Sequence, residues 1–264
     1  MRATGSDAGR AQPSGNSTAD RTIDVLTLFS EGHPVITAAE VGRRLGMSKS
    51  TTYRYLQSLR SSGLLEDDAE RGGFRLGPLI LRLGYIARRG TDLSAVALPV
   101  MRDLSAELNE TVLLTRRHGA QVVCLERVES SAPLRISYQP GHLLPVHAGA
   151  SATVLLAWAD PQEVTEALGA GRLPRYTSST VTSPRRLRKR LEEIRERGYA
   201  VSEGEVDEGV VGVAAPVFGA SGSVVAGLSA VGPAQRITPS VLGSVVASVR
   251  SSAARITSLL EDLG

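Results

Sequence analysis

The chain has 264 residues, 42% of them hydrophobic, which is enough for two domains with separate cores. Its one cysteine, Cys124, excludes an internal disulfide framework, and its apolar neighbours predict a buried structural thiol. No window approaches the uncharged span of about 20 apolar residues that crosses a membrane, and the N-terminus lacks the apolar core of a signal peptide. We therefore expect a cytoplasmic protein with no membrane partner. The net charge of +3 decides little, because a nucleic-acid binder needs only a local basic surface.

The chain begins with a polar segment. Residues 1–19 contain almost nothing large and apolar, so their burial could not offset the entropy lost on ordering them. We predict a disordered tail over 1–19 and a first domain over 20–77. Ile23, Leu26 and Phe29 predict the first helix of that domain.

Two short helical patterns meet at a tight joint within residues 37–63. Thr37 and Glu40 have the spacing of a capping box at the start of a helix of roughly 38–45. Ser48 can cap a second helix, which Gly63 ends. The two helices predict a helix-turn-helix. Its expected buried positions are Ala38, Val41, Leu45, Thr52, Tyr55, Leu56 and Leu59.

The first turns of the second helix carry side chains that bond phosphates and base edges, as the recognition helix of a helix-turn-helix does in a major groove. Arg54 and Gln57 could reach bases, and the hydroxyls could donate to phosphate oxygens. A plain solvated basic surface is the alternative. The candidate DNA-binding residues are Ser48, Lys49, Ser50, Thr51, Thr52, Tyr53, Arg54 and Gln57, joined by Arg71 and Arg75 from the segment that follows.

The next segment favours the DNA-binding interpretation. Residues 64–67 and 73–77 alternate like two strands, with a turn-like stretch over 68–72. This hairpin predicts a wing, which makes residues 20–77 a winged-helix domain. Arg71 and Arg75 are placed to touch the DNA backbone or minor groove.

Residues 78–90 predict a linker helix with more apolar residues than one face of a small domain needs. Pairing with the same helix of a second copy would explain the excess. A second domain is expected over 91–264, with an antiparallel sheet and packed helices in an α+β arrangement. Its predicted helices are 91–108, 149–158, 184–197 and 239–263, and its predicted strands are 111–115, 121–126, 134–138, 199–202, 210–217 and 224–231.

The predicted helix 184–197 is strongly basic at its start and resembles a second nucleic-acid patch. Leu187, Leu191 and Ile194, however, give it an ordinary buried stripe, and its glutamates balance part of the charge. We favour a solvated surface helix.

Taken together, residues 20–264 resemble the IclR family of bacterial transcription regulators. Each matching piece is weak by itself, and their order and spacing make the signal specific. The pieces are the helix-turn-helix and wing, 144–152, 197–199 with 203–208, 209–217, and 228–233.

The resemblance implies a winged helix-turn-helix domain, a linker helix and a C-terminal GAF-like α/β effector domain with an antiparallel sheet. It also implies a homodimer, or a dimer of dimers, on a palindromic double-stranded DNA operator. The effector pocket implied by position is lined by Ala150, Ser151, Ser202, Gly212 and Ser229. Independently, a helix that begins near Gly149 would present free backbone N–H groups, which suits a carboxylate.

The chain departs from the family pattern at this pocket. It has Ser151-Ala152-Thr153 where relatives carry a lysine, Gly212 where many have cysteine, and Ser202 where some have aspartate. We therefore expect a pocket that is roomier and less charged than in relatives that bind small keto acids. An amino acid or related organic acid is the expected effector.

No pattern of an enzyme is present. The segment 149–153 around Ser151 lacks the second glycine of a nucleophile elbow. His147 is better explained as a structural residue at the start of a helix. The histidines lack metal-ligand spacing, and no glycine loop cradles a phosphate, so we expect no metal and no cofactor. The alternative function is a DNA-binding protein whose second domain only oligomerises.

Overall fold

A computed structural model describes residues 18–30, 32–89, 92–131, 136, 138–169 and 173–263. The chain divides into two compact units, Met1–Gly90 and Thr91–Gly264. The predicted fold class, a helix-turn-helix unit and a mixed unit with an antiparallel sheet, is confirmed. Of the predicted tail over 1–19, residues 1–17 lie outside the described part, and Thr18 already begins the first helix.

The first unit contains the helix-turn-helix and a small antiparallel sheet in the order β1-β3-β2. Its elements are α1 (Thr18–Thr27), β1 (Val35–Ile36), α2 (Ala38–Leu45), α3 (Lys49–Ser61), β2 (Leu65–Asp68), β3 (Gly73–Leu76) and α4 (Pro78–Arg89).

The predicted capping box begins α2. The Thr37 backbone N–H donates to Glu40 Oε2 at 2.9 Å, and the Glu40 N–H donates to Thr37 Oγ1 at 3.3 Å. The bond from the Thr37 backbone N–H lowers the pKa of Glu40 most strongly, and a bond from Thr37 Oγ1 to Oε2 at 2.9 Å lowers it further. Gly46 ends α2 at a left-handed φ of 64°, which a side chain would strain. The joint between the helices is therefore fixed by local chemistry.

Two details of the first unit differ from the sequence prediction. Ile23 is exposed, and α1 instead buries Val25, because the helix turns that residue toward α3. The strand β1 was not predicted, and it pairs Val35 with Arg75 on the wing. A segment of two residues is too short for periodicity to detect.

The second unit contains a six-stranded antiparallel sheet in the order β6-β5-β4-β9-β8-β7. Its helices are α5 (Asp92–Leu108), α6 (Ala150–Ala157), α7 (Pro161–Leu168), α8 (Pro184–Arg197) and α9 (Pro239–Glu261). Its strands are β4 (Thr111–His118), β5 (Gln121–Val128), β6 (Leu143–Pro145), β7 (Ala200–Glu203), β8 (Val210–Phe218) and β9 (Val224–Pro233).

The sheet of the second unit is covered on both faces. One apolar cluster joins it to α6 and α8, and another joins it to α5 and α9. Neighbouring residues of β4 show the division, since Leu113 belongs to the first cluster and Val112 and Leu114 to the second. The sheet is thus the middle layer of three, and α6 lies on one face of it.

The strand predicted over 134–138 is wrong where it can be judged. Residues 132–135 and 137 lie outside the described part, and Ile136 and Tyr138 belong to no strand. The strand that completes this side of the sheet is β6, in a segment for which we predicted neither a helix nor a strand. Helix α7 was not predicted either.

Candidate functional site

The exposed face of α3 is the candidate nucleic-acid interface. Ser48 precedes the helix and accepts the Thr51 N–H at 3.3 Å, which completes an N-cap. Its hydroxyl also lies 3.1 Å from that of Ser50 and 2.9 Å from that of Thr51. Three hydroxyls thus cluster at the helix N-terminus, where the helix dipole also favours a phosphate.

The charged side chains of α3 point to solvent beside this cluster. Lys49 and Arg54 are exposed, and the aromatic ring of Tyr53 is 44% exposed. Within the described residues, Lys49 and Arg54 form no ion pair, so their charge is available to a polyanion. Gln57 is exposed as well, and its Oε1 accepts from Arg60 at 2.8 Å.

Thr52 is a correction to the set of DNA-binding candidates. Its side chain is 1% exposed, and Oγ1 donates to the Ser48 carbonyl at 3.0 Å. An added Cβ on Gly42 would lie 3.2 Å from the same oxygen, so Thr52 sits where α2 and α3 approach most closely. Its role is therefore to pack the two helices, as its place in the predicted buried stripe indicates.

The two wing arginines differ in their partners. Arg75 Nε pairs with Glu66 Oε1 at 2.7 Å across the hairpin, and Arg71 is exposed in the turn between the strands. A further pair was not predicted: Arg60 Nη1 contacts Asp67 Oδ2 at 2.9 Å. This salt bridge joins α3 to the wing, so it helps to hold the candidate DNA-binding residues of both elements in a fixed arrangement.

The N-terminus of α6 is the candidate effector site of the second unit. Gly149 precedes the helix with a φ of 86°, and a Cβ there would lie 2.7 Å from the Tyr138 hydroxyl. The Ala150 N–H donates to Ser202 Oγ at 2.9 Å. An added Cβ on Gly212 would lie 3.1 Å from that oxygen, so glycine leaves room for the bond. The structure brings these predicted pocket residues together.

Ser151 and Ser229 face each other rather than an open space. Their hydroxyl oxygens are 2.8 Å apart, and both residues are buried. Ser151 also borders the cavity at the end of α6, whereas Ser229 does not. The two hydroxyls therefore satisfy each other, and Ser229 lies behind the site.

The α6 cavity is small and acidic, contrary to the expected roomy and weakly charged pocket. Its free volume is about 20 Å³, enough for about one water molecule. Two carboxylates, those of Glu205 and Asp207, belong to residues that border it. Its lining residues are Tyr138, Gly149, Ala150, Ser151, Ser202, Glu205, Val206, Asp207, Val210, Gly212 and Val231.

The Glu205 side chain lies in the predicted pocket, at the N-terminus of α6. Its Oε2 accepts the Gly149 N–H at 3.0 Å, and its carboxylate pairs with Arg190. Arg190 lies on α8, where its side chain is 17% exposed and so is not the solvated charge that we predicted. The contact between Glu205 and Gly149 could not be predicted, because both Glu205 and Arg190 are distant from Gly149 in sequence.

Two other titratable groups near the cavity are held in one protonation state by burial. His147 donates from Nε2 to the Pro174 carbonyl at 2.8 Å, and burial lowers its pKa, so the ring is neutral and structural. Burial raises the pKa of Tyr138, with smaller contributions from Asp207 and Glu205. Elsewhere in this layer, burial raises the pKa of Cys124 to about 12, which fits the predicted inert thiol.

None of the described helices combines the length and the apolar character needed to cross a membrane. The described residues also contain no group of three or more His, Cys, Asp or Glu side chains that could hold a metal ion.

A winged helix-turn-helix with unpaired basic side chains, followed by a separate α+β unit, defines a DNA-binding transcription regulator of two domains. The helix-turn-helix domain model of the IclR family matches residues 18–69. The model of the bacterial transcriptional regulator IclR C-terminal domain matches residues 86–258. The chain belongs to the IclR family, and it is a regulator and not an enzyme.

Relatives of known sequence and structure agree with this assignment. The transcriptional regulator BhcR of Paracoccus denitrificans is 32% identical over 238 residues, which are 90% of this chain and 85% of BhcR. The structure of an IclR regulator from Silicibacter sp. has a TM-score of 0.85 and 28% identity, covering 93% of this chain and 96% of the other. An IclR homologue from Microbacterium hydrocarbonoxydans, complexed with 4-hydroxybenzoate, has a TM-score of 0.79 and 32% identity, covering 92% and 98%.

Proposed function

We propose that a small-molecule effector bound in the α6 cavity changes the affinity of the first unit for its operator. The observation that carries this proposal is the cavity at the N-terminus of α6, which is bordered by Tyr138 and Ser202. The complex of the Microbacterium relative with 4-hydroxybenzoate supports an organic acid as the class of ligand. The second unit would then be a GAF-like effector domain.

On the DNA side, we propose contacts from Ser48, Lys49, Ser50, Thr51, Tyr53, Arg54 and Gln57, with Arg71 and Arg75 on the wing. A homodimer, or a dimer of dimers, would place two copies of α3 in successive major grooves of a palindromic operator. The protein would act in the cytoplasm, where that DNA lies. Coupling between effector and DNA sites is typically about 1–3 kcal/mol, enough to change operator occupancy several-fold.

A second candidate function has one observation in its favour. The free volume of about 20 Å³ is far below that of most small-molecule sites. In this alternative, the second unit only oligomerises and binds no effector.

A thermal-shift screen separates the two functions. The purified protein is heated with amino acids, keto acids, aromatic acids including 4-hydroxybenzoate, and sugar acids, since a ligand of the folded state raises the melting midpoint. Each hit is then added to a fluorescence-anisotropy titration of operator DNA. A ligand that raises the midpoint and also shifts operator affinity supports the effector function. Ligands that raise the midpoint without any shift in operator affinity would contradict it.

A further inference from the structure

The N-terminus of α6 already holds a carboxylate that belongs to the chain. Glu205 accepts the Gly149 N–H and pairs with Arg190, and the two side chains are only 7% and 17% exposed. A backbone N–H at a helix N-terminus beside a guanidinium is an arrangement that binds free carboxylates. Glu205 therefore occupies the position that an acidic ligand would take.

The surroundings of Glu205 allow its side chain to leave. Thr180 Oγ1 donates to the Glu205 carbonyl at 2.7 Å, and Thr177 Oγ1 donates to the Gly204 carbonyl, so the backbone is held independently of the carboxylate. Arg190 keeps a second bond, from Nη2 to the Val201 carbonyl at 2.6 Å. Rotation of the Glu205 side chain would thus leave both the loop and the guanidinium in place.

The size of the α6 cavity requires such a movement. Its volume of about 20 Å³ admits one water, and even a small organic acid is several times larger. Most lining residues are Gly, Ala, Ser or Val, whose side chains cannot swing aside. Glu205 is a long flexible side chain directly at Gly149, so its departure makes room where the helix N–H is released.

Tyr138 lies beside the same helix end. The residue is 6% exposed, and an added Cβ on Gly149 would lie 2.7 Å from its hydroxyl, at the border of the cavity. A ligand bound there would have this hydroxyl as a neighbouring hydrogen-bonding group.

We propose that Glu205 is an internal competitor of the effector, and that the effector carboxylate replaces it at the Gly149 N–H and at Arg190. The inference rests on the proposed function, because it takes the α6 cavity as the effector site. While Glu205 occupies the site, the apparent affinity for a carboxylate falls in proportion to the fraction of open molecules. Glu205 and Arg190 then have opposite effects on ligand affinity although they form one ion pair.

The test uses acetate as the carboxylate probe and acetamide as its uncharged counterpart, with isothermal titration calorimetry on the full chain. If the site is open in about a tenth of wild-type molecules, Glu205→Gln should bind acetate about tenfold more tightly. Arg190→Met should bind acetate more weakly than wild type. Acetamide affinity should not rise in Glu205→Gln or fall in Arg190→Met, because acetamide carries no charge. Glu205→Ala serves as a second variant, and circular dichroism checks that each protein is folded.

Glu203→Gln is the matched control, because Glu203 ends β7 two residues before Glu205 and its side chain is exposed. It should bind acetate like wild type. Weaker acetate binding by both Glu205→Gln and Arg190→Met would mean that the ion pair only shapes the cavity, and the proposal would be overturned. Failure of both wild type and Glu205→Gln to bind acetate would overturn it as well.

These outcomes are distinguishable from failure of the proposed function. A ligand from the thermal-shift screen that shifts operator affinity would keep the regulatory function even if acetate behaves contrary to expectation. Conversely, Glu205→Gln and Arg190→Met could have opposite effects on acetate affinity while no ligand changed operator affinity. That result would support competition by Glu205 and contradict the regulatory function.

Discussion

Arg54 is one of the two side chains of α3 that we propose to reach a base. It is exposed, and its guanidinium lies 5.7 Å from the ring centroid of the buried Tyr55. An arginine that contacts a base typically contributes about 1–3 kcal/mol to specific binding. We expect Arg54→Ala to weaken operator binding by that amount and to leave the oligomeric state unchanged, as measured by fluorescence anisotropy at fixed salt and by sedimentation.

Arg185→Ala is the control for this substitution. Arg185 is exposed on α8, in the basic stretch that we assigned to solvated surface, so its loss removes the same charge from the other unit. Operator affinity should be unchanged. Equal losses from the two variants would show that total charge, and not α3, governs binding. Full affinity in Arg54→Ala would remove that residue from the interface.

The hydrogen bond between the Ser151 and Ser229 hydroxyls can be tested by a double-mutant cycle. Replacing one by alanine leaves the other buried without its partner, at a cost of about 1–3 kcal/mol. Replacing both removes the unpaired group, so the double variant should be more stable than the sum of the single changes predicts. Urea unfolding of the four proteins measures the difference. Additive losses would indicate that each hydroxyl has another partner.

At the scale of elements, local chemistry accounts for what the sequence predicted well. The capping box of α2 and the N-cap Ser48 of α3 act over a few residues, so both could be found from spacing alone. The antiparallel sheet was expected from the pattern of its strands and from the family resemblance, but the order of its six strands was not predicted.

What the sequence missed depends on contacts between distant segments. The edge strand β6 has three residues and is defined by its pairing with β5, which no periodicity reveals. Glu205 reaches Gly149 across 56 positions, so the filled cavity could not be found from either segment. The predicted pocket residues did come together, but the volume between them depends on which side chain lies there.

A buried ion pair ties the start of β4 to the loop after β9. Arg236 bonds both carboxylate oxygens of Glu110 at 2.7 and 2.6 Å, and the Glu110 side chain is 4% exposed. Arg236→Met would leave that carboxylate buried and unpaired. We expect a loss of about 2–4 kcal/mol in the free energy of unfolding, somewhat below a fully buried pair because Arg236 is 36% exposed.

Arg255→Met is the matched comparison in the same unit. Arg255 pairs with Asp103 at 2.8 Å, but both side chains are more than half exposed. Its loss should be below about 1 kcal/mol. Guanidinium unfolding of the two variants measures both values, and similar losses would contradict the importance assigned to burial.

At the scale of the whole molecule, α4 carries an apolar surface of the kind that mediates association. Leu81 is 77% exposed, and Leu83, Tyr85 and Ile86 are each about half exposed. If α4 pairs with its copy, as proposed for the dimer, Leu81→Lys should weaken dimerisation by about 2 kcal/mol. Sedimentation equilibrium over a range of protein concentrations measures the change.

Leu143→Lys controls for the general effect of an added charge. Leu143 is 59% exposed on β6 of the second unit, and its replacement should leave the association constant unchanged. If Leu143→Lys weakened association and Leu81→Lys did not, the dimer contact would lie at the sheet edge and not at α4.

The ends of the large sheet bear on how the protein avoids aggregation. Its edge strands β6 and β7 have three and four residues, whereas the four strands between them have eight to ten. A short edge offers few unpaired backbone groups to another chain, so open-ended strand addition is disfavoured. The short edges therefore disfavour fibre-like growth of the sheet. In the proposed dimer, the copies would instead associate through the surface of α4, and a twofold contact of that kind closes on itself.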